Sequence, residues 1–417
     1  MRNLRGSIIL LLVMFLLDLY IFQAIKLVTN QSGTRIKWLV YGGYWLVCGL
    51  SLAFVALLPV VQLHTLPAWA RQYGLALLMG FFLAQVITLP FLITDDLRRL
   101  VQWVIATFIT KNTEVSSTGA EELRFGRSAF LSWLGLGVGT TLFGTLLYGF
   151  RNKYRYQVRR HQLAFANVPQ GLKGLRIVQI SDIHSGSFTN PEAVRRGVEL
   201  INDQHPDVIL FTGDLVNDRA VEMEPYIGIF SQLKAPMGVF STFGNHDYGD
   251  YAPFPTPEAK AANLKRLAEI HAQMGWRLLM DEHVRLERNG DAIALLGVQN
   301  ISGKGRFHTY GNLQKAYDGA ASLPFKILMS HDPSHWDAEV RTRYPDIDLT
   351  LSGHTHGMQF GVELPGFKWS PVKWMYRQWA DLYEAGTQKL YVNRGFGFIG
   401  YPGRVGILPE ITVIELV

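Results

Sequence analysis

Long apolar runs fill roughly the first 150 residues of the chain. Four of these runs can each cross a bilayer as a helix, because about 20 apolar residues span its hydrocarbon core. They cover residues 7–28, 38–63, 73–93 and 129–150. A fifth stretch, 97–109, starts with charged residues and then turns apolar, which predicts a helix lying in the membrane interface. We therefore expect an all-α transmembrane domain over residues 1–155.

From residue 156 the pattern changes to short apolar strands alternating with amphipathic helices. Nine strands are predicted, at 175–180, 207–211, 238–242, 277–286, 292–298, 325–329, 347–351, 389–393 and 411–416. Helices are predicted at 191–204, 222–233 and 257–274. Alternation of this kind is typical of an α/β fold. We expect one α/β domain over residues 156–417.

Five of the predicted strands end in histidine, carboxylate or amide side chains. In chain order the residues at these ends are Asp182 and His184, Asp214, Asn245 with His246 and Asp247, His331, and His354 with His356. Open α/β sheets place their sites at the carboxyl edge of the strands. Gly353 lacks a Cβ and can permit the sharp bend that two histidines one residue apart require. These side chains are therefore expected to meet at one site.

Composition and charge narrow the class of partner. The chain is 48% hydrophobic and carries a formal net charge of +6. Its arginines and lysines cluster beside the apolar runs, which indicates contact with anionic membrane lipids rather than nucleic acid. The single cysteine, Cys48, excludes an intrachain disulfide.

Lysine and arginine counts on the two sides of the predicted spans are close to equal, so the positive-inside rule does not decide the orientation. The stretch 126–131 is similar to a twin-arginine export signal that has only one of its two arginines. It favours an exported globular half. We expect a multi-pass protein of the bacterial inner membrane; the sequence leaves the side of the globular half undetermined, with a lean to the extracytoplasmic side.

Carboxylate, imidazole and amide ligands together suit manganese, iron or zinc. Two divalent ions about 3.5–4 Å apart need a bridging oxygen ligand. Asp214, alone after a glycine, is the candidate bridge. Taken singly, Asp182 and Asp214 could instead cap helices, a common role of aspartate after a strand.

The ordered blocks Asp182-x-His184, Gly213-Asp214, Gly244-Asn245-His246-Asp247, His331 and Gly353-His354-x-His356 resemble the signature of calcineurin-like metallophosphoesterases. The Gly353–Gly357 block and Val392-Asn393-Arg394-Gly395 are similar to a bacterial membrane-associated phosphodiesterase branch, which includes enzymes acting on UDP-2,3-diacylglucosamine. The resemblance implies a four-layer αββα sandwich that binds two divalent metal ions.

The same resemblance implies a role for each motif residue. One metal would be held by Asp182, His184, Asp214 and His356, and the second by Asp214, Asn245, His331 and His354. His246 would stabilise or protonate the leaving oxygen, with Asp247 orienting its ring. Arg394 and His308 are expected to contact the substrate. The aromatic and basic stretch 358–379 could meet lipid headgroups or cap the edge of the sandwich.

We therefore expect a membrane-anchored, metal-dependent enzyme that hydrolyses a phosphodiester or pyrophosphate bond in a lipid-linked or membrane-surface substrate. One alternative is a cytoplasmic-face UDP-2,3-diacylglucosamine hydrolase of lipid A synthesis. Another is a membrane scaffold or receptor that keeps a structural metal site without catalysis. The oligomeric state does not follow from the sequence.

Overall fold

The computed structural model describes residues 4–57, 67–109 and 127–417. Contacts divide the chain into two compact units, with the division between Tyr148 and Gly149. The change in sequence pattern suggested a boundary between residues 155 and 156.

The first unit is helical. Its helices are α1 (Leu4–Val28), α2 (Thr34–Leu57), α3 (Ala68–Val104) and α4 (Ala129–Gly149). All four are long and apolar enough to cross a membrane. Residues 58–63 of the second predicted span lie outside the described residues. The carboxylate of Asp18 is buried among these helices and accepts a hydrogen bond from Gln85 Nε2 at 2.6 Å.

Helix α3 differs from the sequence-based prediction. It contains the predicted span 73–93 and continues through most of 97–109, which was predicted as a separate interfacial helix. A π-helical turn, Ile105–Ile109, follows it directly. The charged residues between the two segments do not interrupt the helix, because they pair one turn apart along it. Arg98 lies 2.9 Å from Asp95, and Arg99 lies 3.0 Å from Asp96.

The second unit contains fourteen strands among its described residues. In chain order they are β1 (Gln157–Leu163), β2 (Arg176–Ile180), β3 (Val208–Phe211), β4 (Val239–Ser241), β5 (Trp276–Leu278), β6 (Glu282–Arg288), β7 (Asp291–Gly297), β8 (Lys326–Met329), β9 (Leu349–Ser352), β10 (Val362–Leu364), β11 (Phe367–Trp369), β12 (Asp381–Ala385), β13 (Gln388–Val392) and β14 (Glu410–Leu416). The helices are α5 (Pro191–Asn202), α6 (Ile227–Phe230), α7 (Pro257–Gln273), α8 (Leu313–Tyr317) and α9 (Arg341–Arg343).

Twelve of these strands form two six-stranded sheets. The first has the order β1-β14-β2-β3-β4-β5, and the second has the order β12-β13-β9-β8-β7-β6. Strands β2 to β5 are parallel to one another, as are β7, β8, β9 and β13. Parallel pairing sends the carboxyl ends of neighbouring strands to one edge of each sheet.

One apolar core lies between the two sheets and contains residues of both, including Ile177 and Leu210 of the first and Ile327 and Leu351 of the second. A second core packs α5 to α7 on the outer face of the first sheet. A third packs α8 and the segment around Trp336 on the second sheet. These layers confirm the predicted αββα sandwich.

Several elements differ from the prediction. Residues 277–286 form parts of two strands, β5 and β6, on the edges of different sheets, because the chain turns at Asp281 with a φ of 60°. The predicted helix 222–233 is reduced to α6 and short 3-10 turns. Strand β1 was not predicted, since its sequence QVRRHQL is polar, as suits a partly exposed edge strand.

Candidate metal centre

The side chains at the five predicted strand ends lie together. Asp182 and His184 follow β2, Asp214 follows β3, and Asn245 follows β4 of the first sheet. The second sheet contributes the residues after β8 and β9. Hydrogen bonds join the loops, since Asp182 N donates to Gly213 O at 2.9 Å and His354 N donates to the Asp182 carboxylate at 3.0 Å. The site therefore lies where the carboxyl edges of both sheets meet.

The backbone of this site is strained. Residues in the left-handed region cost free energy unless they are glycine, and they cluster at functional sites. Five residues here have a φ between 48° and 70°: Asp182, His184, Asp214, His354 and His356. Tight turns in this conformation bring side chains that would alternate along an extended strand to one side.

Gly353 was expected to permit a sharp bend of the backbone, but the structure gives it a different role. Its φ is not positive, and the left-handed residues are its neighbours His354 and His356. A Cβ at position 353 would lie 2.0 Å from Ser181 Oγ and 2.1 Å from Asp182 Oδ2. Glycine is therefore needed because two loops approach each other closely, and not for the bend itself.

The first cluster that could hold a metal ion consists of Asp182, His184 and His356. His356 Nε2 lies 3.1 Å from Asp182 Oδ1 and 3.0 Å from His184 Nε2. All three side chains are buried. Three potential ligand atoms thus face one small volume away from bulk water.

The second cluster consists of Asp214, His331 and His354. His331 Nε2 lies 3.0 Å from Asp214 Oδ2 and 3.3 Å from His354 Nδ1. Asn245 Oδ1 lies 2.8 Å from the same His354 nitrogen. The side-chain nitrogen of Asn245 donates to Tyr251 Oη at 2.9 Å, which leaves its oxygen directed to the cluster.

Asp214 lies between the two clusters. Its Oδ2 is 3.5 Å from His184 Nε2 and 3.0 Å from His331 Nε2. Its Oδ1 accepts a hydrogen bond from the backbone nitrogen of His246 at 2.9 Å, which holds the carboxylate in place. One carboxylate oxygen therefore reaches ligand atoms of both clusters.

The hydrogen-bond pattern tests whether these residues fit metal ions. Ring nitrogens directed at backbone carbonyl oxygens must carry hydrogen, as in His184 Nδ1 to Val216 O at 3.2 Å and His331 Nδ1 to Thr212 O at 2.8 Å. In the neutral ring of His184 the Nε2 lone pair then points at the Asp214 carboxylate, 3.5 Å away. Two electron-rich atoms in a buried site repel each other unless a cation lies between them. The donor set therefore fits bound cations.

The pKa shifts of the site residues also agree with the binding of cations. Burial alone would raise the pKa of Asp214, but His331 and His246 hold it well below its usual range. Burial lowers the pKa of His184, His354 and His356, which favours their neutral, ligand-competent forms. For His331, burial lowers the pKa, but the Asp214 carboxylate outweighs it and raises the value to about 10. The space between these two side chains thus favours positive charge.

Two family models match the chain. Residues 4–153 match "Probable Calcineurin-like phosphoesterase, transmembrane domain", and residues 175–358 match "Calcineurin-like phosphoesterase". The metallophosphoesterase YkuE of Bacillus subtilis, described as uncharacterized, is 30% identical over 266 residues, which are 62% of this chain and 85% of YkuE. The chain belongs to the calcineurin-like metallophosphoesterases.

Two further relatives are similar over the same part. The phosphodiesterase YaeI of Escherichia coli is 27% identical, over 63% of this chain and 88% of its own. A transmembrane protein with metallophosphoesterase domain from Danio rerio is 30% identical over 61% of this chain, and the match spans 56% of its length. With the four apolar helices, these matches identify this metallophosphoesterase as a multi-pass membrane protein.

Membership in the family, together with the two clusters, indicates a centre for two divalent metal ions in this metallophosphoesterase. Bound there, such ions lower the pKa of water and neutralise phosphoryl oxygens. By family and by the chemistry of its donor set, the chain is a metallophosphoesterase whose clustered residues suit divalent metal ions.

The structure corrects the predicted role of Asp247. Its carboxylate does not orient the His246 ring, whose Nδ1 is bonded to Asn217 O at 2.7 Å. It instead accepts from the backbone nitrogens of Asp214 at 2.9 Å and of Leu215 and Gly244 at 2.8 Å. Burial raises the pKa of Asp247 to about 7. Asp247 therefore holds the loops that carry the metal-site residues.

Arg394 is corrected as well. Its guanidinium is fully buried and lies 2.6 Å from both Glu410 and Glu363, and 3.2 Å from Asp381. A side chain in such a network is structural, and the expected substrate contact is not supported. His308 is exposed, with its ring 6.2 Å from that of Tyr310, and its expected substrate contact stays a prediction.

Two residues near the centre were missed from the sequence. Tyr376 Oη lies 2.9 Å from His354 Nε2, so the other ring nitrogen faces the cluster. The guanidinium of Arg404 is fully buried, donates to Arg394 O at 2.7 Å and lies 3.3 Å from His356 Nδ1. Neither lies in a strand-end motif, so only the fold brings them to the site.

Proposed function

We propose that this metallophosphoesterase hydrolyses a phosphodiester or pyrophosphate bond in a lipid-linked or membrane-surface substrate, using two ions of manganese, iron or zinc. The observation that carries the proposal is the position of Asp214 Oδ2 within 3.5 Å of a histidine of each cluster. A carboxylate shared in this way suits a bridge between two ions. The relative YaeI is a phosphodiesterase by name, which supports the reaction class.

In this proposal the first ion is held by Asp182, His184, Asp214 and His356. The second is held by Asp214, Asn245, His331 and His354. The distances within and between the two clusters support this division, as does the orientation of each ring by a bond to its outer nitrogen. Ligands held by such outer contacts keep their geometry when a metal binds.

His246 is the proposed proton donor to the leaving oxygen. Its ring is partly exposed and lies 5.0 Å from that of His184, centroid to centroid. Its Nδ1–H donates to Asn217 O, so Nε2 remains to exchange a proton with a substrate atom. The backbone bond from His246 N to Asp214 fixes this ring beside the centre.

The roles of Asp214 and His246 can be separated by substitution in the full-length protein. We expect Asp214→Asn to lose most bound metal and most hydrolysis, because the shared ligand is weakened. His246→Ala should keep its metal and lose turnover, about 10²–10⁴-fold for a general acid. Metal content is measured by elemental analysis. Equal loss of metal in both variants would refute the division of roles.

The substrate class is tested with purified protein loaded with manganese, zinc or iron. Soluble mono- and diesters, lipid pyrophosphates and UDP-2,3-diacylglucosamine are compared in detergent. We expect membrane-borne substrates to be hydrolysed fastest. Hydrolysis of soluble nucleotide diesters far faster than every lipid-linked phosphate would refute the proposed substrate. Release of UMP, with a topology reporter placing the C-terminus in the cytoplasm, would instead support the UDP-diacylglucosamine hydrolase.

A further inference from the structure

The β10–β11 hairpin has its polar face inward and its apolar face outward. In its antiparallel register, Val362 pairs with Trp369 and Leu364 pairs with Phe367, so these four side chains share one face. Val362 is 43%, Leu364 61% and Phe367 55% exposed. A hairpin packed on a protein core normally shows the opposite arrangement.

The polar face of the hairpin is fixed to the rest of the second unit. Glu363 accepts from Arg159 and from the buried Arg394, each at 2.6 Å. Lys368, which is paired with Glu363, donates to Ala380 O at 2.6 Å. Because a shift of one residue would reverse the faces and break these bonds, the outward direction of the apolar face is determined by the fold.

The apolar surface continues beyond the hairpin. Trp374 is 72% exposed, and its ring lies 5.8 Å from that of Trp369. The exposed Lys373 ammonium lies 6.0 Å from the Trp374 ring centroid. Tryptophan beside apolar residues and a lysine is the composition that proteins place at the interface of a membrane with anionic lipids.

Backbone hydrogen bonds hold the base of the hairpin inside the second unit. The carbonyl oxygen of Gly149, the first residue of that unit, accepts from Arg404 N at 3.0 Å. The residue after Arg404 is Val405, and its carbonyl oxygen accepts from Gly361 N at 2.8 Å, directly before the start of β10. The base of the hairpin is therefore fixed to the second unit by its backbone as well as by Glu363 and Lys368.

We propose that the apolar face of the β10–β11 hairpin, together with Trp374, docks on the surface of a lipid bilayer. The outward apolar side chains, the exposed tryptophan and the lysine beside it select a lipid surface as the occupant, in a chain whose described residues include four helices long and apolar enough to cross a membrane. Tyr376, two residues after Trp374, contacts the metal-site ring of His354. Docking therefore holds one wall of the metal centre at the membrane surface.

The test uses the full chain in lipid nanodiscs, with Cys48→Ala as background. An environment-sensitive fluorophore is attached at Phe367→Cys and, as the control, at Lys265→Cys, where the native side chain is 82% exposed on α7. Nitroxide-labelled lipids should quench the fluorophore at 367 at least about twofold more than that at 265, as expected for insertion at the headgroup level. Equal quenching at both positions would overturn the proposal. Shielding of 367 from aqueous quenchers without lipid quenching would also overturn it, since a protein would then cover the face.

A second label, at Lys373→Cys, tests the contribution of the apolar side chains. The double substitution Leu364→Ser and Phe367→Ser should reduce lipid quenching at this label, while Leu364→Ile with Phe367→Leu should retain it. Unchanged quenching in the serine variant would contradict the proposal. Neither readout involves hydrolysis, so docking and the proposed substrate can fail independently.

Discussion

His354 is bonded at both ring nitrogens, and this decides which of them can face the metal centre. Nε2 lies 2.9 Å from Tyr376 Oη, while Nδ1 lies 2.8 Å from Asn245 Oδ1 and 3.3 Å from His331 Nε2. A hydrogen bond to the outer nitrogen selects the tautomer and the orientation of a ligating histidine. Tyr376 is therefore a positioning residue for the second cluster.

We expect Tyr376→Phe to weaken metal binding about 10-fold or more while the fold is kept, because loss of an outer-shell partner typically costs 10–100-fold in affinity. The matched control is Tyr317→Phe, which removes a hydroxyl that donates to Asp346 at 2.6 Å elsewhere in the unit. Metal affinity is measured by competition with a chelating dye. Equal affinities for the two variants would show that the Tyr376 contact does not position His354.

Histidines outside the motifs behave as packing residues where they are buried. His271 is fully buried on α7 and contacts Ser241 Oγ at 2.8 Å. Burial lowers its pKa to about 3, so it stays neutral at physiological pH. The sequence could separate such histidines from those of the centre only through the motifs around them.

At the scale of elements, the metal centre depends on loops from the two sheets that pack against each other at van der Waals distance. The loop after β9 passes so close to the loop after β2 that no side chain fits at Gly353. Asp247 follows β4, and its carboxylate accepts hydrogen bonds from the backbone nitrogens of Asp214 and Leu215, which follow β3. Short turns with left-handed residues thus convert strand ends into a convergent set of ligands.

Gly353→Ala tests this close approach. The added Cβ would meet Ser181 and Asp182, so we expect destabilisation of about 1–3 kcal/mol, as in overpacked cores, together with loss of bound metal. Gly228→Ala in α6 is the control, because nothing lies within 4 Å of the added carbon, and alanine favours a helix. Melting temperature and metal content are measured for both. A Gly353→Ala variant that binds metal normally would contradict the packing argument.

At the scale of the whole molecule, both sheets contribute ligands, so bound ions should link them. Ligands that bind only the folded state stabilise it by mass action, by about 4 kcal/mol at a concentration of 1,000 times the dissociation constant. We expect a chelator to lower the melting temperature of the second unit, followed by the fluorescence of its tryptophans, and divalent metal to restore it.

Asp214→Asn provides the control for this prediction, since its melting temperature should hardly respond to the chelator. If the chelator lowers the melting temperature of both proteins equally, the effect does not arise from the shared carboxylate. If it lowers neither, metal binding does not contribute to the stability of the sandwich.

The sequence by itself determined an α/β domain, the apolar segments and the side chains that meet at the centre, while the αββα class followed from the resemblance of its motifs to a known family. The residues could be identified because strand periodicity and parallel pairing bring the ends of β2, β3 and β4 to one edge. Only the tertiary structure decided the continuity of α3, the division of residues 277–286 between two sheets, and the roles of Gly353, Asp247 and Arg394. These depend on contacts between segments far apart in the chain, such as Arg394 with Glu410 and Glu363, and no local pattern encodes them. Contacts distant in sequence also explain why the β10–β11 hairpin turns its apolar face outward. The direction of its two faces is fixed by residues outside the hairpin, such as Arg394, which binds Glu363.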